Sequence, residues 1–345
     1  MRLIPVEYLK EGSEVAINVM NADNKLLLSK GQMISKRIME RLEEKGVSYV
    51  YITDEYCFNE VSDSIADIQG FLRSILKLKR LARRVTDGTS DASDMEYAIG
   101  ISKEVIQAAR ALDDSVKIRY EPTKLIINSV EEETIYIAIM AVILGVRMGY
   151  SEEKLINLCL ATLLKDLALL SPKIKDKGEV VKRMHPLLTC QYLESKYDVS
   201  EELMRAILHH HENYDGTGYP HGLRGGQISE LAQVINIVDS FYRLKSSHDM
   251  LTGTHGMLEA NLKRVFMKFD LYILSNFMGN IEVFTLDTMV CLNNGDIGVV
   301  VQNNYTDPFK PVIKIIRSSR FEEGEIVNLE KEPKLGIKHI EYYAD

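Results

Sequence analysis

HHHENYDGTGYPHGLRGGQIS, from His209 to Ser229, is the stretch whose reading decides the rest. It ends an apolar helical run with three histidines and a glutamate, then enters a turn carrying Asp215, Gly216, Gly218, Tyr219 and Pro220. At helical spacing Leu203, Ala206 and Ile207 share one face, and His210 and His211 fall on or beside it. His209 projects with Glu202 and Arg205 on the polar side. The expectation is that His210 and His211 point inward and His209 outward. One inward histidine needs only a hydrogen-bond partner. Two adjacent ones at a helix end suit a metal, because neutral imidazole is the commonest ligand.

Upstream, Glu133 to Met148 is almost uniformly apolar, as expected of a helix buried on all sides. Ser151-Glu152-Glu153 caps a following helix over Lys154 to Leu170. Near its end sit Lys165 and Asp166, and Asp166 shares a core-facing line with Leu155, Cys159 and Thr162. A carboxylate there needs a cation, a metal or donors to offset its desolvation. His185-Pro186 opens another helix. Downstream, Ile228 to Lys245 reads as helix, with Asp239 among Ile235, Val238 and Tyr242.

The flanks differ in character. Residues 1–55 read as a small α/β unit: strands Val15–Val19 and Lys25–Gly31, a helix over Ile34–Lys45 stopped by Gly46, and a closing strand Val47–Ile52. Residues 56–120 read as a helical connector. Its basic run Phe71–Arg84 is taken as a solvated face, and its helices could pair protomers into a homodimer. Residues 285–345 read as a β-rich extension, with a hairpin turning at Asn294-Gly295 and strands at Pro311–Ile316 and Glu325–Leu329. The remaining segment, 121–284, is the helical domain that carries the histidines.

Bulk composition sets bounds. The chain has 345 residues and is 46% hydrophobic, ample for a core, with two or three domains. A formal charge of −8 argues against a broad nucleic-acid surface. Four scattered cysteines form no CxxC pair and point to reduced thiols in a cytoplasmic protein. The opening MRLIPVEYLKEG lacks the apolar core of a signal peptide, and Thr134–Met148 is too short to span a bilayer.

His210-His211-Glu212, Asp215-Gly216-Thr217-Gly218-Tyr219-Pro220, Gly222-Leu223, Gly225 and Ile228 together resemble the signature of the HD-GYP domain, a branch of the HD phosphohydrolase superfamily. The resemblance spans roughly residues 125–285. It implies a mainly α, HD-type helical bundle holding two or three metals and hydrolysing cyclic di-GMP. The loop at Asp215, Gly216, Gly218, Tyr219 and Pro220 would shape the substrate pocket or meet a protein partner.

Carried over residue by residue, the resemblance implies metal ligands at Asp166, His185, His210, His211 and Asp239. Lysine stands at 165 where the family's pair has histidine, and Glu133 falls where its first histidine is expected. Leu169 and Gln233 replace an expected lysine and arginine, and the run after Asp239 departs from the family pattern. By the family's map one metal position has lost both imidazoles, while Asp166, His185, His210 and His211 complete the other. The expected cofactor is one divalent ion, with Fe, Mn, Zn and Ni all suited to this ligand set. Asp166 and Lys165 are the catalytic candidates, and Lys165 either replaces the lost ion with its ammonium or reaches past the helix end into water. Two functions follow: a weak or inactive phosphodiesterase that binds metal and cyclic di-GMP in signalling, or an active phosphodiesterase.

Overall fold

The computed structural model describes residues 1–20, 25–59, 84, 89, 91, 93–112, 117–119, 130–170, 178, 183–246, 267–304 and 306–344. Near the N-terminus β1 (Arg2–Pro5), β2 (Glu14–Val15) and β5 (Tyr49–Thr53) form an antiparallel sheet in the order β1-β5-β2. β3 (Val19–Met20) and β4 (Leu26–Leu28) pair antiparallel in a separate sheet, and α1 (Lys36–Glu44) packs against the 3₁₀ turn Val6–Tyr8. The single strand expected over Val15–Val19 is therefore two strands in two sheets. Ala16 N bonds Tyr51 O, while Asn18 Oδ1 accepts from Lys30 N, so the chain changes partners midway. β1, in the opening segment, is an additional strand.

Among the described residues there are eight α-helices, and the protein is mainly α. After α2 (Ser93–Ala111) comes α3 (Val130–Arg147), the central helix. Around it lie α2, α4 (Glu152–Leu164), α7 (Glu230–Ser246) and α8 (Leu271–Asn280). Ile135, Ile137, Ala138, Ala141, Val142 and Leu144 of α3 are buried. Each large aliphatic side chain among them contributes about 1.5–3 kcal/mol by leaving water. α5 (His185–Lys196) and α6 (Glu201–His209) complete the bundle. Ser151 and Ser200 cap α4 and α6 by accepting from Lys154 N and Leu203 N, which fixes where each helix starts. α4 ends at Leu164, not Leu170; Leu167–Leu170 is a separate 3₁₀ turn. Lys165 and Asp166 thus occupy a turn. No helix among the described residues is long and apolar enough to cross a membrane. The basic run from Phe71 to Arg83 lies outside the described residues.

A short parallel pair, β6 (Ile118–Arg119) with β7 (Ile281–Glu282), closes the bundle. Beyond it β8 (Met289–Leu292), β9 (Ile297–Gln302), β10 (Val312–Arg317), β11 (Ile326–Asn328) and β12 (Ile337–Ile340) form an antiparallel sheet ordered β11-β10-β9-β8-β12. The Asn294-Gly295 turn joins β8 to β9, with Gly295 at φ +90°. β12, which the sequence reading does not anticipate, pairs with β8.

The two flanking β regions pack on each other. Tyr342 joins the N-terminal hydrophobic cluster and stacks on Tyr8 at 4.7 Å, and Arg2 bridges Asp54 and Tyr342 O. Buried Asp287 accepts from Phe58 N at 2.9 Å, Asn59 N at 3.1 Å and Asn59 Nδ2 at 2.7 Å. Replacing Asp287 with Ala leaves these donors without their acceptor. Chemical denaturation should show a loss of about 1–3 kcal/mol. An unchanged midpoint would show that this junction does not couple the two regions.

Candidate metal centre

Three helix ends supply the donors. Asp166 follows α4, His185 begins α5, and His210 and His211 follow the last residue of α6. One ligand atom from each of Asp166, His185, His210 and His211 lies within 4.8 Å of the other three, so the four could hold a metal ion. His185 Nε2 is 3.1 Å from Asp166 Oδ1 and 3.2 Å from His210 Nε2. His210 Nδ1 donates to Ile207 O at 2.6 Å, which leaves its Nε2 lone pair facing the cluster. Asp166 Oδ1 is buried and accepts no well-formed hydrogen bond. Converging lone pairs with an orphaned carboxylate oxygen form a donor set that fits a divalent cation.

Burial lowers the pKa of His210 and drives that of His211 far below the ordinary range, so both imidazoles stay neutral. Burial alone would raise Asp166. The Lys165 charge beside it, with His185 and His210 nearby, instead holds it well below the usual carboxylate range.

The second feature is a buried charge network. Lys165 is 1% exposed; its Nζ contacts Asp166 Oδ2 and lies 3.4 Å from Asp239 Oδ1. The alternative in which this side chain reaches water is excluded. Burial pushes the ammonium pKa down, but Asp166 and Asp239 outweigh it and the net shift is upward. Arg243 Nε is 2.8 Å from Asp239 Oδ2 and 3.8 Å from Glu133 Oε1. Burial raises Glu133, with Arg243 opposing. Asp239 therefore faces two cations and stands apart from the four clustered donors. Arg243 carries no role in the sequence reading, although its spacing of four from Asp239 on one helix was a usable signal.

His209 departs from expectation. It is 7% exposed, and its Nδ1 accepts from Ser229 N at 3.2 Å. Helical spacing puts His209 on the polar side of α6, but the returning loop covers that side, with Ser229 N reaching its Nδ1. Burial lowers its pKa to about 4.

The loop is held from within. Glu212 is buried and accepts from His221 N at 2.7 Å and Leu223 N at 3.0 Å, while Asn236 Nδ2 donates to Glu212 O. It staples the loop; its place beside the histidines gave no sign of that role. Asp215 accepts from Thr217 N and Oγ1, shaping the turn without approaching the cluster. Gly216 has φ +80°. At Gly218 a Cβ would lie 2.3 Å from Asn213 N and 2.4 Å from Glu212 Cα, so only glycine fits. Tyr219, joined to Pro220 by a cis peptide, stacks on His211 at 4.6 Å.

Residues 123–260 match the family described as HD domain, and residues 289–342 match the KOW domain associated with HD domain. The chain is 28% identical over 219 residues to the cyclic di-GMP phosphodiesterase PdeB of Borreliella burgdorferi, covering 59% of this chain and 57% of that protein. It is 29% identical over 150 residues to the cyclic di-GMP phosphodiesterase PA4108 of Pseudomonas aeruginosa, covering 43% and 36%. The HD match contains both the histidine cluster and the DGTGYP loop that closes on it. Residues 123–260 of this chain are therefore an HD domain that carries the HD-GYP loop. It spans 57% of PdeB and 36% of PA4108, about half or less of each of these curated relatives. A solved structure of a Bdellovibrio bacteriovorus HD-GYP-type protein, Bd1817, aligns at TM-score 0.46 and 17% identity, covering 80% of this chain and 97% of that one.

Replacing Lys165 with Met leaves the carboxylates of this HD-GYP centre facing each other in a dry site. The expected cost is about 3–5 kcal/mol in thermal or chemical unfolding; parent-like stability would show that the ammonium compensates nothing. His210→Ala should abolish metal retention, whereas His209→Ala should retain metal but lose about 1 kcal/mol from the broken Ser229 contact. Stability should also fall as pH drops. His209 titrates near pH 4 folded and near 6.5 unfolded, so protons bind the unfolded chain first and its contribution is lost across that window. His209→Gln should flatten that part of the pH profile.

Proposed function

We propose that this chain is a cyclic di-GMP signalling protein that binds one divalent ion and the cyclic dinucleotide, with weak or absent hydrolysis. The observation that carries this reading is Lys165, buried between Asp166 and Asp239 with Arg243 behind it. A fixed ammonium and a guanidinium there satisfy carboxylates that could otherwise join a second ion. The names of PdeB and PA4108 supply the ligand class. The four free cysteines accord with action in the reducing cytoplasm.

Asp166, His185, His210 and His211 would hold the ion. A bound divalent cation polarises a phosphoryl oxygen and lowers the pKa of water. Around it, Asp166 stays ionised, and His210 keeps its lone pair directed inward through the Ile207 carbonyl. The Glu212 staple fixes the loop that carries Tyr219 over His211. Lys165 cannot supply what a second ion would. Its charge is already committed to two carboxylates, leaving little to stabilise a developing alkoxide. The loop is then available as a contact surface for a signalling partner. The flanking β regions, from the two ends of the sequence, are joined through Asp287 into one module.

An active phosphodiesterase is the second reading, favoured by the complete Asp-His-His-His set. Turnover of cyclic di-GMP by metal-loaded protein, beside equilibrium binding of the same ligand, separates the two. The proposed function expects saturable binding with cleavage depressed at least about 100-fold relative to a two-metal homologue, the scale of losing one charge-stabilising group. Turnover comparable to that homologue would establish the enzyme instead. Absence of binding would remove cyclic di-GMP as the ligand.

A further inference from the structure

Tyr219 links the cluster to a cation that the reading above does not use. Its ring stacks on His211, with centroids 4.6 Å apart and planes at 28°. The same ring carries the Arg183 guanidinium, whose central carbon lies 4.7 Å from the centroid. Arg183 is exposed and stands two residues before His185, one of the four donors. One aromatic ring thus joins a cluster imidazole to an exposed planar cation.

Two physical consequences follow. Tyr219 is occupied as a platform, so its contribution to a ligand runs through the groups it holds. A guanidinium lying on an aromatic ring uses its face for the contact and keeps its N–H edge for a bidentate anion, and it loses less freedom when that anion arrives. Arg183 meets Tyr219 and is not one of the four clustered donors, so it offers a second anion contact apart from the group that would sit against Asp166 and the histidines. An anion meeting both must carry two separated negative groups.

We propose that Arg183, positioned by Tyr219, binds the second phosphoryl group of a cyclic dinucleotide whose first lies at the Asp166, His185, His210 and His211 cluster. Arg183 is then the residue that distinguishes a two-phosphate ligand from a mononucleotide, and Tyr219 is a positioning residue. The proposal rests on the cyclic di-GMP reading of the site.

The test is calorimetric binding of cyclic di-GMP and of GMP to metal-loaded protein, with metal content measured on every variant. Arg183→Gln should weaken cyclic di-GMP binding about tenfold or more, the scale of one charge-assisted contact, and leave GMP binding and metal content unchanged. Tyr219→Phe keeps the ring and should bind like the parent. Tyr219→Leu should reproduce the Arg183→Gln loss, and the double variant should be no weaker than either single one, because both remove the same contact. Unchanged cyclic di-GMP affinity in Arg183→Gln, equal loss for both ligands, or additive losses in the double variant would overturn the proposal while leaving the parent's binding intact. A parent that binds cyclic di-GMP no better than GMP would instead defeat the reading on which it rests.

Discussion

The site depends on a charge held out of water. Lys165 lies between Asp166 and Asp239 at 1% exposure, and its ammonium is what lets two carboxylates sit in the interior beside three imidazoles. Desolvating any of these groups alone would cost several kcal/mol. The helical core supplies the setting: α3 packs against α2, α4, α7 and α8, and the turn after α4 delivers Lys165 and Asp166 together. Arg243 extends the same balance outward to Glu133. Removing the lysine therefore disturbs both the packing of the bundle and the carboxylate that faces the donor cluster.

Loop and cluster are coupled through backbone, not through further ligands. Glu212 spends its buried carboxylate on two amides of the loop, and Gly218 lets the chain pass against Asn213 and Glu212 where no side chain fits. Those contacts fix Tyr219 over His211. The signature of this loop is a set of steric and hydrogen-bonding requirements. A chain can meet them whether or not it cleaves its ligand.

Much of this was legible in the sequence. The apolar run over Glu133–Met148 became the buried central helix, and the Asn-Gly turn became the β8–β9 hairpin, because periodicity and turn chemistry are local. Asp166 was readable as a core-facing carboxylate that needed compensation. What failed was reading local pattern as tertiary environment. His209 is covered because the returning loop brings Ser229 onto the polar side of α6, and the Val15–Val19 run divides because its halves find different partners. Contacts distant in sequence left no trace: the Asp287 clamp on Asn59 spans 228 positions, and nothing near Arg183 announces Tyr219.

The central claim is that a lysine ammonium occupies the place where a second cation would sit, so the centre holds one ion. Its most direct test is the metal-to-protein ratio of the parent chain after saturation with Mn²⁺ and removal of excess, with anomalous scattering to locate the ions. One ion per chain among Asp166, His185, His210 and His211, and no density between Asp239 and Glu133, is the predicted result. Two ions per chain, with one of them displacing Lys165 from Asp239, would contradict the account.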